Sequence, residues 1–516
     1  MNKSSDIKKV VIVGGGSAGW MSAMIFAKAM LDKGIQICVV ESPSVGIIGV
    51  GEGSTPALKG FFDKLGIPEA EWMPACHATY KCGITFDKWS TRPGFDSYFH
   101  PFGSVLDNFS MPLFVQNVQA RLQGKVVDAH PDRYFIASKL AKQHMAPKPN
   151  HNFPFPVWYG YHFDAVLLGQ YLHKKALALG VTYLSRHVSH ATLDEQGRIS
   201  AIHCKDGDDI QADFFVDCSG FASLLSQQTL NTPFISFGNN LFNDSAIAMP
   251  TPISDSIPSQ TVSTAMKCGW AWEIPLTARY GNGYVYSSSF CSADDAEFEL
   301  REKLGLLDSD TPARHLKMKV GRVSKPWHKN CLAVGLSQGF IEPLEATALL
   351  YVQRSAANFI EFFERGELSE KAQDEYNARF NAGFEGTRDY IVSHYKTNSR
   401  TDTDYWRANA GNTNLSEPLK QLYGLWASGD KSLKSLIREQ KLGVGYPILS
   451  WYCLLAGMGI FPAINPNAKT DTADNAAKLA QLDELLDRSA LNFKSQKEIL
   501  QNIPTAPDNP LQLYLW

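Results

Sequence analysis

Apolar residues fall in short runs near the start of the chain and in helical stripes near its end. Val10-Val11-Ile12-Val13 is a run of four between Lys9 and a glycine cluster, and reads as a short buried strand. Trp20 to Leu31 has Ala23, Ile25, Phe26 and Ala29 among its apolar positions, which predicts a helix. Ile35 to Val40 is a second strand that ends at Glu41. Strand, helix and strand at this spacing predict a βαβ unit. Phe163 to Leu184 repeats the helix-then-strand order, and strand-like segments follow at Ile199–Ile202 and Asp213–Asp217. Cys331 to Gly335 is a further strand, leading through a loop into a helix at Leu349–Phe363. After about residue 380 the pattern turns to helices and loops. Leu479, Leu482, Leu485, Leu486 and Ala490 form a stripe within Asp474–Phe493. The expectation is an α/β fold over residues 1–380, with a mainly helical region over 381–516 packed on it. No internal repeat or low-complexity linker interrupts the chain.

Composition narrows the class. The 516 residues are 44% hydrophobic and 20% charged, enough for one large core or two medium ones. A net charge of -3 offers neither a nucleic-acid-binding surface nor an acidic tail. The nine cysteines show no Cys-x-x-Cys pair and no zinc spacing, so reduced thiols and no metal are expected. No apolar run approaches the ~20 residues needed to span a bilayer, so a cytoplasmic protein without a membrane partner is expected.

The first turn carries chemistry. Gly14-x-Gly16-x-x-Gly19 lies between a predicted strand and a predicted helix. The first glycine permits the tight turn, the second lets backbone approach a pyrophosphate, and the third lets helix and strand pack closely. Ser17 and Ala18 lie in this turn, ahead of the helix whose N-terminus favours phosphate charge, and Glu41 sits where an adenosine ribose would be bound. The fingerprint alone does not separate FAD from NAD. Asp213-Phe214-Phe215-Val216-Asp217-Cys218-Ser219-Gly220 resembles the second strand of FAD monooxygenase-like proteins. No second fingerprint is visible, so reducing equivalents must come from elsewhere.

Trp270 and Trp272, closed by Ile274-Pro275, form a bulky stiff element whose indoles share one face if the segment is extended. By composition alone, two core tryptophans near a strand end are the better explanation. Together with the glycine fingerprint, the string Trp270-Ala271-Trp272-Glu273-Ile274-Pro275 resembles the flavin-dependent halogenases of the tryptophan halogenase family. The resemblance runs from Val10 to about Pro462 and implies a Rossmann-like FAD-binding domain of the flavin monooxygenase type. In that family the motif keeps organic substrate away from oxygen-activated flavin.

The resemblance extends residue by residue. Gly49-Val50-Gly51-Glu52 matches the family loop, with Gly51 at the cofactor, and Tyr80-Lys81-Cys82 matches the lysine-bearing stretch. Lys81 is thereby the catalytic lysine, binding hypohalous acid or forming a haloamine. Gly339 to Ala348 resembles the family's Phe-x-Glu-Pro-Leu-Glu-Ser-Thr-Gly run. It makes Glu345 the active-site glutamate and gives halide to the backbone at Thr347 and Ala348. Without the resemblance, Lys81 reads as a surface lysine, and Glu345 and Thr347 as helix-start residues. Val188, Leu336 and Leu349 fall at flavin-contacting positions. His100 and Phe102 match the walls of an indole sandwich, where a buried aromatic turn is the competing reading. Ser393 to Trp406 matches as scaffold.

Two departures matter. Ala346 replaces serine and Ala348 replaces glycine, so the halide loop is expected to differ wherever positive φ is required. Between Ala427 and Ser450 there is no Tyr-Tyr pair of the kind that holds a free amino acid, so free tryptophan is expected to bind weakly. The resemblance implies an FADH2-dependent halogenase using oxygen and chloride or bromide on an electron-rich, indole-type arene. It implies a separate flavin reductase and leaves room for a homodimer. The alternatives are an FAD-dependent aromatic monooxygenase and a non-catalytic flavin-binding protein.

Overall fold

The computed structural model describes residues 7–46, 51–429, 433, 437, 446–465 and 473–503. A six-stranded sheet runs in the order Trp327–His328, Cys331–Ala333, Phe214–Asp217, Lys9–Val13, Gln36–Glu41 and Thr182–Ser185. All neighbours are parallel except the edge strand Trp327–His328. Val10 to Val13 are buried, as a strand covered on both faces requires. The helix Ser17–Met30 crosses one face between helices Ala165–Ala178 and Ala348–Glu364. It begins before the apolar pattern does, because Ser17, Ala18 and Gly19 form its first turn at the glycine corner. Phe359 links the third of these helices to the sheet, stacking on Phe26 at 5.5 Å and on Phe214 at 4.4 Å.

A seven-stranded sheet stands beside it. Its order is Arg314–Lys317, Ser245–Thr251, Tyr280–Tyr286, Gly269–Pro275, Thr261–Ala265, Gly83–Asp87 and Ser97–Pro101. Only Thr261–Ala265 and Gly83–Asp87 pair in parallel. A three-stranded ladder of Gly51–Gly53, Gly160–Asp164 and Thr79–Lys81 joins the two layers. It crosses the larger sheet where Gly51 meets Gly281. A Cβ added at Gly281 would lie 2.8 Å from the Gly51 Cα, so the two backbones touch through glycine alone.

Helix Glu370–Thr397 is continuous for 28 residues and passes through position 380. One apolar core contains Val10, Phe86 and Trp270 together with Tyr395, Trp451 and Leu482. The stripe near the end is helix Ala473–Ala490, and Phe493 lies beyond it in a short strand paired with Met145–Pro149. All nine cysteines are free thiols. Among the described residues, no helix is long and apolar enough to cross a membrane, and no three His, Cys, Asp or Glu side chains could hold a metal together.

Candidate active site

The glycine corner is shaped by three different steric demands. Gly14 has φ +113°, and a Cβ there would lie 2.2 Å from the Cys218 carbonyl oxygen. A Cβ on Gly19 would lie 1.9 Å from the Gly14 carbonyl oxygen, the close helix–strand approach expected of the third glycine. Gly16 has nothing within 4 Å of its Cβ position, so its face is open to a ligand. Glu41 ends its strand with its carboxyl against Gly15, where a Cβ would be 2.1 Å from the carboxyl carbon. Burial raises the Glu41 pKa, and a hydrogen bond with Tyr183 opposes that rise. The Leu336 turn closes the corner from the other side. Gly335, at φ +68°, leaves no room for a Cβ beside Ala18, and Ser337 Oγ donates to the Gly220 carbonyl at 3.0 Å. Leu349 is buried in the first turn of its helix. The Val188 side chain belongs to an apolar cluster with Val11, Val13 and Val40. These residues fit a dinucleotide: a glycine face open to the pyrophosphate, a helix N-terminus behind it and a carboxylate at the second strand's end.

The Trp-x-Trp segment is the strand Gly269–Pro275. Trp270 and Trp272 share a face, with ring centroids 6.2 Å apart. Gly283 pairs with Trp272, and a Cβ there would lie 2.1 Å from the indole, so the ring occupies the space a side chain would need. Trp270 Nε1 donates to Glu342 Oε2 at 2.9 Å. A Cβ on Gly51 would meet Ile274 at 3.5 Å, and the Pro275 carbonyl accepts from Thr79 Oγ1 at 2.7 Å. The element therefore joins the Gly51 strand to the strand of Lys81.

Lys81 ends the strand Thr79–Lys81 and is 1% exposed. Burial lowers its pKa to about 7, against the opposing pull of Glu345. Its ammonium lies 5.4 Å from the Phe102 ring centroid. It also lies 3.0 Å from where a Cβ at Gly53 would stand. Glu345 is 2% exposed. His100 Nδ1 reaches both its oxygens, at 3.1 and 3.0 Å, and a carboxylate can only accept, so Nδ1 donates. His394 Nε2 comes within 3.4 Å of Oε1, outside hydrogen-bond geometry. Burial pushes the Glu345 pKa up, but the two histidines outweigh it and hold the carboxyl at about 2. His100 Nε2 pairs with Ser450 Oγ at 2.8 Å, so both ring nitrogens are engaged.

The segment expected to hold halide takes positive φ at one of its two alanines. Ala346, not Ala348, occupies the left-handed region, at φ +57°. Ala348 is the first residue of the helix Ala348–Glu364, so replacing glycine there costs nothing in φ. The left-handed Ala346 followed by Thr347 at φ -89° turns successive N–H groups toward one side. No side chain caps that helix start. The result is an uncapped nest at the N-terminus of a 17-residue helix, immediately after Glu345.

Sequence reasoning placed Ser393–Trp406 as scaffold, yet His394 faces Glu345 and Tyr395 donates to Glu342. Ser450 and Glu342 were not singled out either. Their contacts span 350 and 72 positions, which no local spacing reveals. On the substrate side, Tyr446 stacks on Tyr390 at 3.6 Å, and Trp451 meets Tyr390 edge-on at 4.9 Å. Lys431, Lys434 and Glu439, in the segment without the Tyr-Tyr pair, lie outside the described residues.

Comparison with known proteins agrees over most of the chain. The tryptophan halogenase family model matches residues 9–474. The tryptophan 6-halogenase SttH of Streptomyces toxytricini is 34% identical over 503 residues, covering 93% of this chain and 95% of that protein. The tryptophan 7-halogenase RebH of Lentzea aerocolonigenes is 32% identical over 529 residues, covering 97% and 98%. The SttH crystal structure superposes with a TM-score of 0.83 at 33% identity, over 96% of this chain and 99% of that one. BrvH, a flavin-dependent halogenase from Brevundimonas sp. BAL3, superposes with a TM-score of 0.81 at 30% identity, over the same shares.

Proposed function

Since the chain belongs to the tryptophan halogenase family and is a flavin-dependent halogenase, we propose that it halogenates an electron-rich, indole-type arene through Lys81 and Glu345. The cofactor is FAD, taken up reduced from a separate flavin reductase, and the co-substrates are oxygen and chloride or bromide. Gly14, Gly16, Ser17, Ala18, Gly19 and Glu41 would hold the dinucleotide, with Gly51, Leu336, Leu349 and the Val188 backbone around it. When bound, reduced flavin activates oxygen so that halide is oxidised to hypohalous acid.

The observation that carries this reading is the opposed tuning of two neighbouring buried groups. The Lys81 amine is lowered to about 7 and the Glu345 carboxyl is held at about 2. Near neutral pH the lysine then has a substantial neutral fraction, able to take up electrophilic halogen or to hydrogen-bond hypohalous acid. Glu345 stays ionised beside the arene, where it stabilises positive charge on the ring and accepts the departing ring proton. The backbone N–H groups of Thr347 and Ala348 hold halide, that of Ala346 being bonded to the Pro343 carbonyl at 3.1 Å. Trp270, Trp272, Ile274 and Pro275 form the wall between flavin and substrate. Phe102 offers a ring face to the arene, and His100 holds Glu345 in place. The relatives named for tryptophan act on that amino acid. This chain lacks the Tyr-Tyr clamp, and the reading is of an arene without an ammonium and carboxylate to be held.

The test incubates indole and tryptophan separately with FAD, a flavin reductase, NADH, oxygen and either halide, with catalase present, and reads products by mass spectrometry. Wild type, Lys81→Ala and Glu345→Gln run side by side. A halogen isotope pattern on indole, reduced by at least about 100-fold in both variants, is the expected result. An oxygenated product formed without halide would sink the reading in favour of a monooxygenase.

A further inference from the structure

Glu342 lies three residues before Glu345 and is 1% exposed. One of its oxygens, Oε2, accepts from Trp270 Nε1 at 2.9 Å, from Asn243 Nδ2 at 2.9 Å, and from Tyr395 OH. Asn243 in turn donates to Tyr395 OH at 2.9 Å and accepts from Tyr405 OH at 2.9 Å. The other oxygen, Oε1, is buried without a partner. An unshared buried carboxylate oxygen is costly, so the group must be compensated through Oε2. Three elements meet at that oxygen. The strand Gly269–Pro275 brings Trp270, the helix Glu370–Thr397 brings Tyr395, and the Gly339–Glu345 segment brings the carboxylate. The same helix presents His394, next to Tyr395, to Glu345. Trp270 has this one hydrogen bond for its indole N–H, and without it the ring's χ angles are fixed by packing alone.

We infer that Glu342 is a positioning residue: it locks the Trp270 wall to the segment that carries Glu345, so that oxidant formed on the flavin side reaches Lys81 rather than escaping. The inference rests on the proposed halogenase reading and deepens it. Glutamine at 342 can still accept from Trp270 through its amide oxygen, whereas leucine cannot accept at all. The role is therefore in the acceptor, not in the charge.

Two readouts on Glu342→Gln and Glu342→Leu test it. The first is the ratio of halogenated indole to reduced flavin oxidised, with escaped hypohalous acid trapped by an added thioether. The second uses flavin-free protein labelled with 15N-tryptophan. It follows solvent exchange of the Trp270 indole N–H, assigned by its disappearance in Trp270→Phe. The expected result for Glu342→Leu is a fall of about tenfold in the coupling ratio, matched by trapped oxidant, and faster indole exchange. Glu342→Gln keeps both within about twofold of wild type. If Glu342→Leu does not fold, Trp270→Phe replaces it, since it removes the same hydrogen bond and is expected to uncouple alike. Leucine coupling as tight as wild type, or glutamine failing as badly as leucine, overturns the inference. A wild-type protein that halogenates neither arene would instead count against the proposed indole-type substrate.

Discussion

Lys81 places an amine where water hardly reaches, and that has a thermodynamic signature separate from catalysis. An unfolded lysine titrates near 10.5, and here the group is lowered to about 7 by burial. Between those values the unfolded chain holds the proton and the native chain does not, so this group makes stability rise with pH across that window. Below it both states are charged, and the native one bears the whole desolvation cost. Lys81→Met should therefore raise the thermal midpoint most at about pH 6 and progressively less toward about pH 10. Midpoints measured across that range check it, and a pH-independent gain would mean the amine is not desolvated. Glu345 shifts stability with pH in the same direction, in a lower window. Its carboxyl is held down near 2, so its stabilisation is present above the unfolded value of 4.5 and is lost as pH falls from there toward 2. That both residues are chemically special was legible only through a motif resemblance. The cause is not local, because the histidine that sets Glu345 stands 245 positions away.

At the scale of elements, the glycine corner and the halide segment make contrasting predictions. Gly16→Val should leave the flavin-free protein folded, because the new side chain enters open space. It should weaken FAD binding at least about tenfold by occupying the pyrophosphate's place, as fluorescence titration would read. Gly19→Ala should fail at the folding step, since its methyl would overlap the Gly14 carbonyl. A Gly16→Val protein that binds FAD normally would move the cofactor elsewhere. Ala346 is a non-glycine residue in the left-handed region, and Ala346→Gly should stabilise the fold by about 0.5–1 kcal/mol on chemical denaturation. An unchanged or lowered midpoint would show that the methyl's packing outweighs its backbone strain. The corner was readable because its three glycines keep their spacing within six residues, although the Cys218 carbonyl that presses on Gly14 comes from a distant strand end. For the loop expected to hold halide, the sequence named two alanine replacements but not which of them takes positive φ. The switch of φ depends on how the Pro343–Glu345 turn docks before the helix, and sequence spacing does not report docking.

For the whole molecule, 49 basic and 52 acidic side chains nearly cancel. No strong field is available to steer a reductase onto this surface. Reduced flavin should then arrive by diffusion. Halogenation per reduced FAD should be the same with an unrelated reductase or with chemically reduced FAD, and should vary little with ionic strength. A strong dependence on one reductase, abolished by salt, would instead reveal a docking partner. The boundary drawn near residue 380 falls within a continuous helix, and side chains before and after it share one core. The side chains that meet at the proposed site accordingly come from far-apart segments: Lys81 and His100 early in the chain, Glu345 late in the first region, and His394 and Ser450 beyond it.

The sequence by itself determined the βαβ unit, the dinucleotide corner, the mainly helical end and, through motif order, the family. Each of these is written in periodicity, in residue spacing over a few positions or in the order of motifs. Only the tertiary structure decided what surrounds the reactive groups. Burial, the pairing of Glu345 with His100 and His394, and the three donors converging on Glu342 all come from segments that meet solely because the layers pack. The physical reason is that pKa shifts and buried hydrogen bonds depend on desolvation and short distances in space, and the folded chain sets both without regard to distance along the sequence.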